Sequence, residues 1–209
     1  MTTDRREHWE NVYRSKAPDA VSWFAPHLES SLALLRQAGL HVGSRVIDVG
    51  AGASTLVDDL LDTGVTQLTV LDLSTAALEI SKQRLGDRAT AVSWIAGDVR
   101  HVALPEGAFD LWHDRAVLHF LTEPADISAY VATARHALAA GGHAVIGGFA
   151  PDGPTQCSQL PVARRSATDI AALFGDDFEL LGSRGETHTT PWGASQAFVF
   201  AVLRKRPDR

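Results

Sequence analysis

The chain has 209 residues, 45% hydrophobic and 21% charged, the balance expected of one globular unit with a sizeable core. Its net charge of −6 and lack of a basic run argue against the phosphate neutralisation on which duplex nucleic-acid binding depends, so no nucleic-acid partner is expected. Cys157 is the only cysteine, which excludes an internal disulfide and a cysteine metal cluster.

The start of the chain, Met1 to His8, is charged and carries no secretory apolar segment, and no stretch approaches a membrane span. A cytoplasmic protein without a membrane partner is the default expectation. Asp4 to Ser15 is predicted helical, with His8-Trp9, Val12 and Tyr13 sharing a face. Pro18 to Pro26 follows and contains Val21-Ser22-Trp23-Phe24, too aromatic for a bare linker. Trp9, Tyr13 and Trp23 either form a flap whose ring faces stabilise a bound cation or pack this extra helix onto the body. Packing suits Trp9 better. Leu28, Leu32 and Leu35 stripe a second helix that stops at Gly39. The chain thus divides into an N-terminal helical cap, 1–40, and a core, 41–209, of one domain.

The core begins at Arg45 to Thr55. Val46, Ile47 and Val49 read as a buried strand, Gly50-Ala51-Gly52 as a tight turn, and Ser54 to Leu61 as a helix whose N-terminus offers unpaired N–H groups. A dinucleotide fingerprint would need a third glycine where Thr55 stands, and Asp48 just before the turn would repel a diphosphate. It would favour a cation. Asp72 closes the apolar run Leu68 to Leu71, 22 residues after Gly50, where an acid takes ribose hydroxyls of either kind of cofactor. Ser74 caps a helix running to Gly86, and Val92 to Ala96 is a third strand ending in Gly97-Asp98-Val99. Alternation of strand and helix implies parallel strands, right-handed crossovers and ligands gathered at the carboxyl ends.

With Val46 to Ser54, Asp72 and Gly97-Asp98, the chain resembles the class I S-adenosylmethionine-dependent methyltransferases. His8-Trp9 with Tyr13, followed by Trp23, is similar to the start of a bacterial group related to the eukaryotic methyltransferase-like proteins. The resemblance implies a Rossmann-like, doubly wound α/β fold with seven strands, mostly parallel with an antiparallel last strand, plus N-terminal helices. It implies S-adenosyl-L-methionine as cofactor, whose sulfonium and ammonium would suit Asp48. Trp9, Tyr13, Trp23, Asp48, Gly50, Ala51, Gly52, Ser54, Thr55, Asp72, Leu73, Asp98 and Val99 are then the expected cofactor residues. Asp98 would accept the adenine amino group and the Val99 N–H would meet the ring, although Asp98 also suits a turn cap.

Phe109 to Trp112 opens a fourth strand that ends in His113-Asp114-Arg115. The family's base-amine methylating members place Asn-Pro-Pro-Tyr there, and its absence argues against nucleic-acid adenine methylation. Asp114 and Arg115 either hold the methionine portion or a substrate carboxylate, or form an internal ion pair. His113 and His119 are titratable near neutrality, and His119, apolar on both sides, is either a core histidine or a base. A helix from Pro124 to Ala140 ends at Gly141-Gly142, Ala144 to Ile146 is the fifth strand, and the loop from Pro151 to Pro161 is long enough for a lid. Cys157 within it is a bystander, since transfer from a sulfonium needs no enzyme nucleophile. Arg164-Arg165 either attracts an anionic substrate or is solvated. After a helix at Ala167 to Phe174, Phe178 to Leu181 and Ala197 to Leu203 are the last strands. Glu186 to Trp192 between them, with His188, is either an acceptor wall or a plain hairpin loop.

The expected reaction is in-line methyl transfer to a small-molecule acceptor, for example a thiol or other soft nucleophile. A protein lysine N-methyltransferase is the runner-up. A nicotinamide-dependent dehydrogenase and a non-catalytic donor-binding module are readings from other classes. Alignment of donor and acceptor supplies most of such a rate, and a base, His119, His188 or His113, is needed only for an acceptor that arrives protonated. No metal is called for, because no carboxylate and histidine cluster has ligand spacing.

Overall fold

The computed structural model describes residues 2–207, with side chains from residue 5 onward. In chain order the main elements are α1 (Thr2–Ser15), α2 (Glu29–Gln37), β1 (Arg45–Val49), α3 (Leu56–Asp62), β2 (Gln67–Asp72), α4 (Thr75–Leu85), β3 (Val92–Ala96), β4 (Phe109–Arg115), α5 (Pro124–Ala137), β5 (Leu138–Phe149), the short pair β6 (Gln156–Cys157) and β7 (Leu160–Pro161), α6 (Ala167–Phe174), β8 (Phe178–Thr189) and β9 (Ser195–Lys205). Seven strands form one sheet in the order β3-β2-β1-β4-β5-β9-β8. The first five run parallel, and β9 enters antiparallel to both β5 and β8. This is the α/β, Rossmann-like architecture that the alternation implies. The strand order turns back between β1 and β4, so a cleft opens beyond their carboxyl ends.

Helices cover both faces, and each face of the sheet has its own apolar layer. Trp112, Tyr130, Phe174 and Ile146 fill one with α5 and α6, and Leu34, Leu35, Leu56, Leu60 and Leu78 fill the other with α2, α3 and α4. Because β1 and β4 are buried on both faces, each carries apolar side chains on both, and neighbouring residues of one strand serve opposite layers. Leu111, His113 and Arg115 therefore share one side of β4, while Trp112 and Asp114 face α5.

Several boundaries differ from the sequence expectation. The helix expected to run to Ala140 ends at Ala137, and β5 already begins at Leu138 because Phe109 of β4 takes it as partner before the register shifts at Leu111. Gly142 lies in that shifted stretch, where an added Cβ would come within 2.9 Å of the Ala139 carbonyl oxygen. Strands β8 and β9 are longer than expected, and Glu186 to Thr189 belong to β8. An edge strand with one exposed face carries polar residues that read as loop in the sequence. The lid segment holds the small hairpin β6–β7, turned by Ser158 and Gln159 with φ of 48° and 65°. Among the described residues no helix is long and apolar enough to cross a membrane.

Candidate active site

The carboxyl ends of β1, β2, β3 and β4 open into one cavity, and α1, the segment 18–28, Cys157 of the small hairpin and Phe149 and Phe198 of β5 and β9 wall it from above and from the side. The roof is anchored at several points. Glu10 of α1 accepts from the Thr75 N–H at 2.6 Å and the Ala76 N–H at 3.3 Å, capping α4, and the Arg6 Nε donates to the Leu73 carbonyl. His8 hydrogen-bonds Ser158 at 3.2 Å, joining α1 to the hairpin. Trp9 meets Trp23 and Phe120 edge-on, with ring centroids 5.7 and 5.2 Å apart, and Tyr13 lies 6.3 Å from Trp23. These rings pack together and also line the cavity. The packing reading holds, and the packed rings stand over the cavity.

The glycine turn is present as expected, with Gly50 at φ 63° and Gly52 at φ 58°, conformations a side chain disfavours. The N–H groups of the turn itself are taken up within the fold. Gly50 and Ala51 donate to the Leu71 carbonyl at 2.7 and 3.3 Å, Gly52 donates to Asp72 at 2.7 Å, Ser54 to the Ala51 carbonyl, and Leu56 to the Ser54 hydroxyl. A diphosphate would find no free donor among Gly50, Ala51 and Gly52. The helix behind the turn starts at Leu56, two residues late, and Thr55 uses its hydroxyl on the Ala25 carbonyl at 3.1 Å. Tyr13 covers Gly52, where a Cβ would lie 2.1 Å from its phenolic oxygen. Burial, with Asp72 nearby, raises the Tyr13 pKa and keeps it protonated.

Three acids stand at successive strand ends. Asp72 receives the Gly52 and Ser74 N–H groups, both at 2.7 Å, and burial pushes its pKa up to about 6. Asp98 lines the cavity but is gripped by Arg100, whose Nε lies 2.9 Å from one carboxylate oxygen; burial works against ionisation, yet Arg100 prevails and holds the carboxyl below its usual range. Arg100 also pairs with Asp126, which Arg5 of α1 reaches at 3.4 Å. Asp48 is 2% exposed and lines the cavity, but it is not a lone carboxylate facing a cation. Its Oδ1 lies 2.7 Å from the Nδ1 of His113, its register partner on β4.

The residues at the end of β4 separate by parity. His113 and Arg115 line the cavity, and Asp114 does not. Asp114 points to the α5 side, where it accepts from the Val117 and Leu118 N–H groups at 2.7 and 3.0 Å and from the Tyr130 hydroxyl, and burial pushes its pKa up to about 6. Strand alternation carries the signal that separates them, once β4 is known to be buried on both faces. Arg115 donates to the Trp23 carbonyl at 3.2 Å, lies 4.8 Å over the Phe198 ring and approaches Glu186 at 3.8 Å. The neighbouring Ala116 takes φ 78°, a strained backbone at the cavity edge.

The three histidines have different fates. His113 is 1% exposed and its Nε2 has no partner, while both nitrogens of His119 are also buried and unpaired. His119 therefore is not a satisfied core histidine. It lines the cavity between Phe120 and Phe149, and burial, with Arg165 and Arg115 nearby, pulls its pKa down to about 3. His188 is not brought to the cavity. Its Nε2 donates to the Ser22 carbonyl at 2.7 Å and ties the aromatic segment to β8, so His188 is a strut in a stretch whose sequence suited either an acceptor wall or a plain hairpin loop. Arg165 is likewise structural, donating to the Leu118 and Leu121 carbonyls at 3.0 and 2.9 Å, and Arg164 donates to Gly153. Cys157 lines the cavity with its thiol pushed up to about 11 by burial, which suits a bystander.

Residues 46–142 match the family described as a methyltransferase domain. The eEF1A lysine and N-terminal methyltransferase of Mus musculus is 24% identical over 54% of this chain, which covers 16% of that protein, and its counterpart from Danio rerio is 26% identical over 57% of the chain and 17% of the protein. The chain therefore spans about a sixth of the length of these relatives. Among solved structures, NodS, an N-methyltransferase from Bradyrhizobium japonicum in complex with S-adenosylhomocysteine, superposes with a TM-score of 0.72 at 19% identity, covering 95% of this chain and 98% of that one. A structure solved in work on the conversion of a disulfide bond into a thioacetal group during echinomycin biosynthesis gives 0.78 at 21% identity, covering 96% and 93%. The nicotinamide reading falls with that match and with the occupied N–H groups of the glycine turn. The two glycines at positive φ and the ring of cavity acids and aromatic side chains fit a cationic nucleoside, and with residues 46–142 matching a methyltransferase domain the chain is similar to the S-adenosylmethionine-dependent methyltransferases.

Proposed function

We propose that the chain transfers a methyl group from S-adenosylmethionine to a small molecule, a thiol or other soft nucleophile. The carrying observation is the roof. The cavity lies beneath α1, the segment 18–28 and the β6–β7 hairpin, and its wall beyond β4 is largely apolar, with Phe120, Phe149, Phe198 and Cys157. A small apolar acceptor suits such a place, since burial of apolar area supplies its affinity. Asp72 would hold the ribose, with Leu73 beside it, Asp98 and Val99 the adenine, and Asp48, Gly50, Ala51, Gly52, Ser54 and Thr55 the methionine end beneath Trp9, Tyr13 and Trp23. When bound, the donor supplies a methyl group already activated on sulfonium. The chain's own contribution is to align the acceptor, exclude water and surround the positive centre with rings and carboxylates.

A protein lysine acceptor is the second reading, and the names of the matched eEF1A methyltransferases favour it. Incubation with methyl-labelled donor, first with the protein fraction of a lysate and then with its small-molecule fraction, separates the two. Label in the small-molecule fraction is expected. Label in protein bands alone overturns the proposal, and no turnover with either fraction would leave a donor-binding module.

A further inference from the structure

Two buried histidines with unpaired nitrogens face the cavity, and their surroundings differ in a way that divides the work between them. His113 is backed by Asp48, whose carboxylate oxygen lies 2.7 Å from Nδ1. A carboxylate only accepts, so Nδ1 carries the hydrogen and the lone pair of the neutral ring is on Nε2, the atom without a partner. A proton arriving at Nε2 would make an imidazolium in contact with a carboxylate. His119 has the opposite setting, with no carboxylate on either nitrogen, Phe120 and Phe149 against its ring and two arginines nearby. A proton on it would be desolvated and repelled. His119 stays neutral and offers one donor and one acceptor for recognition.

From this contrast we infer that His113 is the catalytic base of the site, that Asp48 is its positioning residue, and that the acceptor is a nucleophile that arrives protonated, as a neutral thiol does. This rests on the reading given under Proposed function. In the step, the acceptor S–H bond breaks and its proton passes to His113 Nε2. The sulfur electron pair forms the bond to the methyl carbon while that carbon's bond to the sulfonium sulfur breaks, leaving two neutral thioethers and an imidazolium. The proton later leaves to water. Asp48 fixes the ring so that Nε2, and not Nδ1, meets the cavity.

The test compares two thiols with methyl-labelled donor at near-neutral pH, 2-mercaptoethanol, which is mostly protonated, and thiophenol, which is largely ionised. His113→Asn keeps a donor for Asp48 and removes the base. It should lower kcat/KM for 2-mercaptoethanol by about a hundredfold or more, the usual worth of a base, and for thiophenol only a few-fold. Equal losses for both thiols overturn the assignment. Methylation of neither thiol by the unaltered chain instead overturns the thiol reading, and the inference with it. Nitrogen-15 spectra of the histidine rings give a readout without turnover and without the His113 variant. A protonated Nδ1 at His113 that is lost in Asp48→Asn is expected, and a ring protonated at Nε2 in the unaltered chain contradicts the role of Asp48.

Discussion

The two ends of β1 and β4 lie side by side in the same sheet, and each end joins a side chain of one strand to a side chain of the other. At the amino ends Arg45 grips Asp110, with its backbone N–H at 2.9 Å and its guanidinium at 2.6 Å, and a further guanidinium N–H reaches the Gly107 carbonyl. The Arg45 contact holds the Asp110 carboxyl below its usual range. At the carboxyl ends Asp48 meets His113, and one ring nitrogen is left over. Of the four buried side-chain atoms without a partner among the described residues, three belong to His113 and His119 at the cavity. The amino end uses up its polar capacity within the fold, and the carboxyl end keeps some of it facing the cavity. Unpaired buried polar groups cost stability, so a chain that retains them at one edge has put that edge to use.

Substitutions should separate the two ends, and the largest effect is expected at the glycine turn. Gly50→Ala forces φ 63° on a side chain and places its Cβ 1.8 Å from a Val117 methyl carbon. A left-handed alanine and overpacking together should cost about 2 to 5 kcal/mol, read by chemical denaturation. Asp114→Ala follows, because it strands the Val117 and Leu118 N–H groups and the Tyr130 hydroxyl. A loss of about 3 kcal/mol is expected, with S-adenosylhomocysteine affinity unchanged in the folded fraction, since Asp114 faces α5. Weakened binding would move Asp114 back to the cavity.

The pH dependence sharpens the contrast, because the ends have opposite signs. Asp72 and Asp114, each pushed up to about 6 by burial, bind a proton more tightly in the folded chain than unfolded, where a carboxyl titrates near about 3.9. Their contribution is largest when protonated and is lost as pH rises from about 4 to about 6. Asp110, held low, contributes above the unfolded value and loses its contribution as pH falls. Thermal melts of Asp114→Asn across that window should show the decline reduced, by at most about 2 kcal/mol. An undiminished decline would mean that Asp114 is ionised throughout. Arg45→Ala is the smallest change. Its ion pair is over a third exposed, so about 1 kcal/mol at most is expected, with no effect on ligand binding.

Much of this was legible in the sequence because local rules decide it. The strand and glycine turn at Val46 to Gly52, the Ser74 cap and the edges of β3 and α6 follow from apolar runs, glycines and capping residues. Which side of β4 met the cavity was not legible, since a strand buried on both faces shows no alternation of polarity, and Asp114 looked as eligible as His113. The link between Asp48 and His113 spans 65 residues and exists only because β1 and β4 are neighbours. His188 misled for a related reason, since a polar residue on an edge strand reads as loop, and its partner, the Ser22 carbonyl, is a backbone atom with no signature in sequence.

The central claim is that the donor lies at the carboxyl edge, against the glycine turn and Asp72. Calorimetric titration of S-adenosylhomocysteine into the unaltered chain and into Asp72→Ala tests it directly, with a melt confirming that the variant is folded. Binding by the unaltered chain, weakened in the variant by about 1 to 3 kcal/mol, is the expected result. Equal affinity in the two would place the ligand elsewhere.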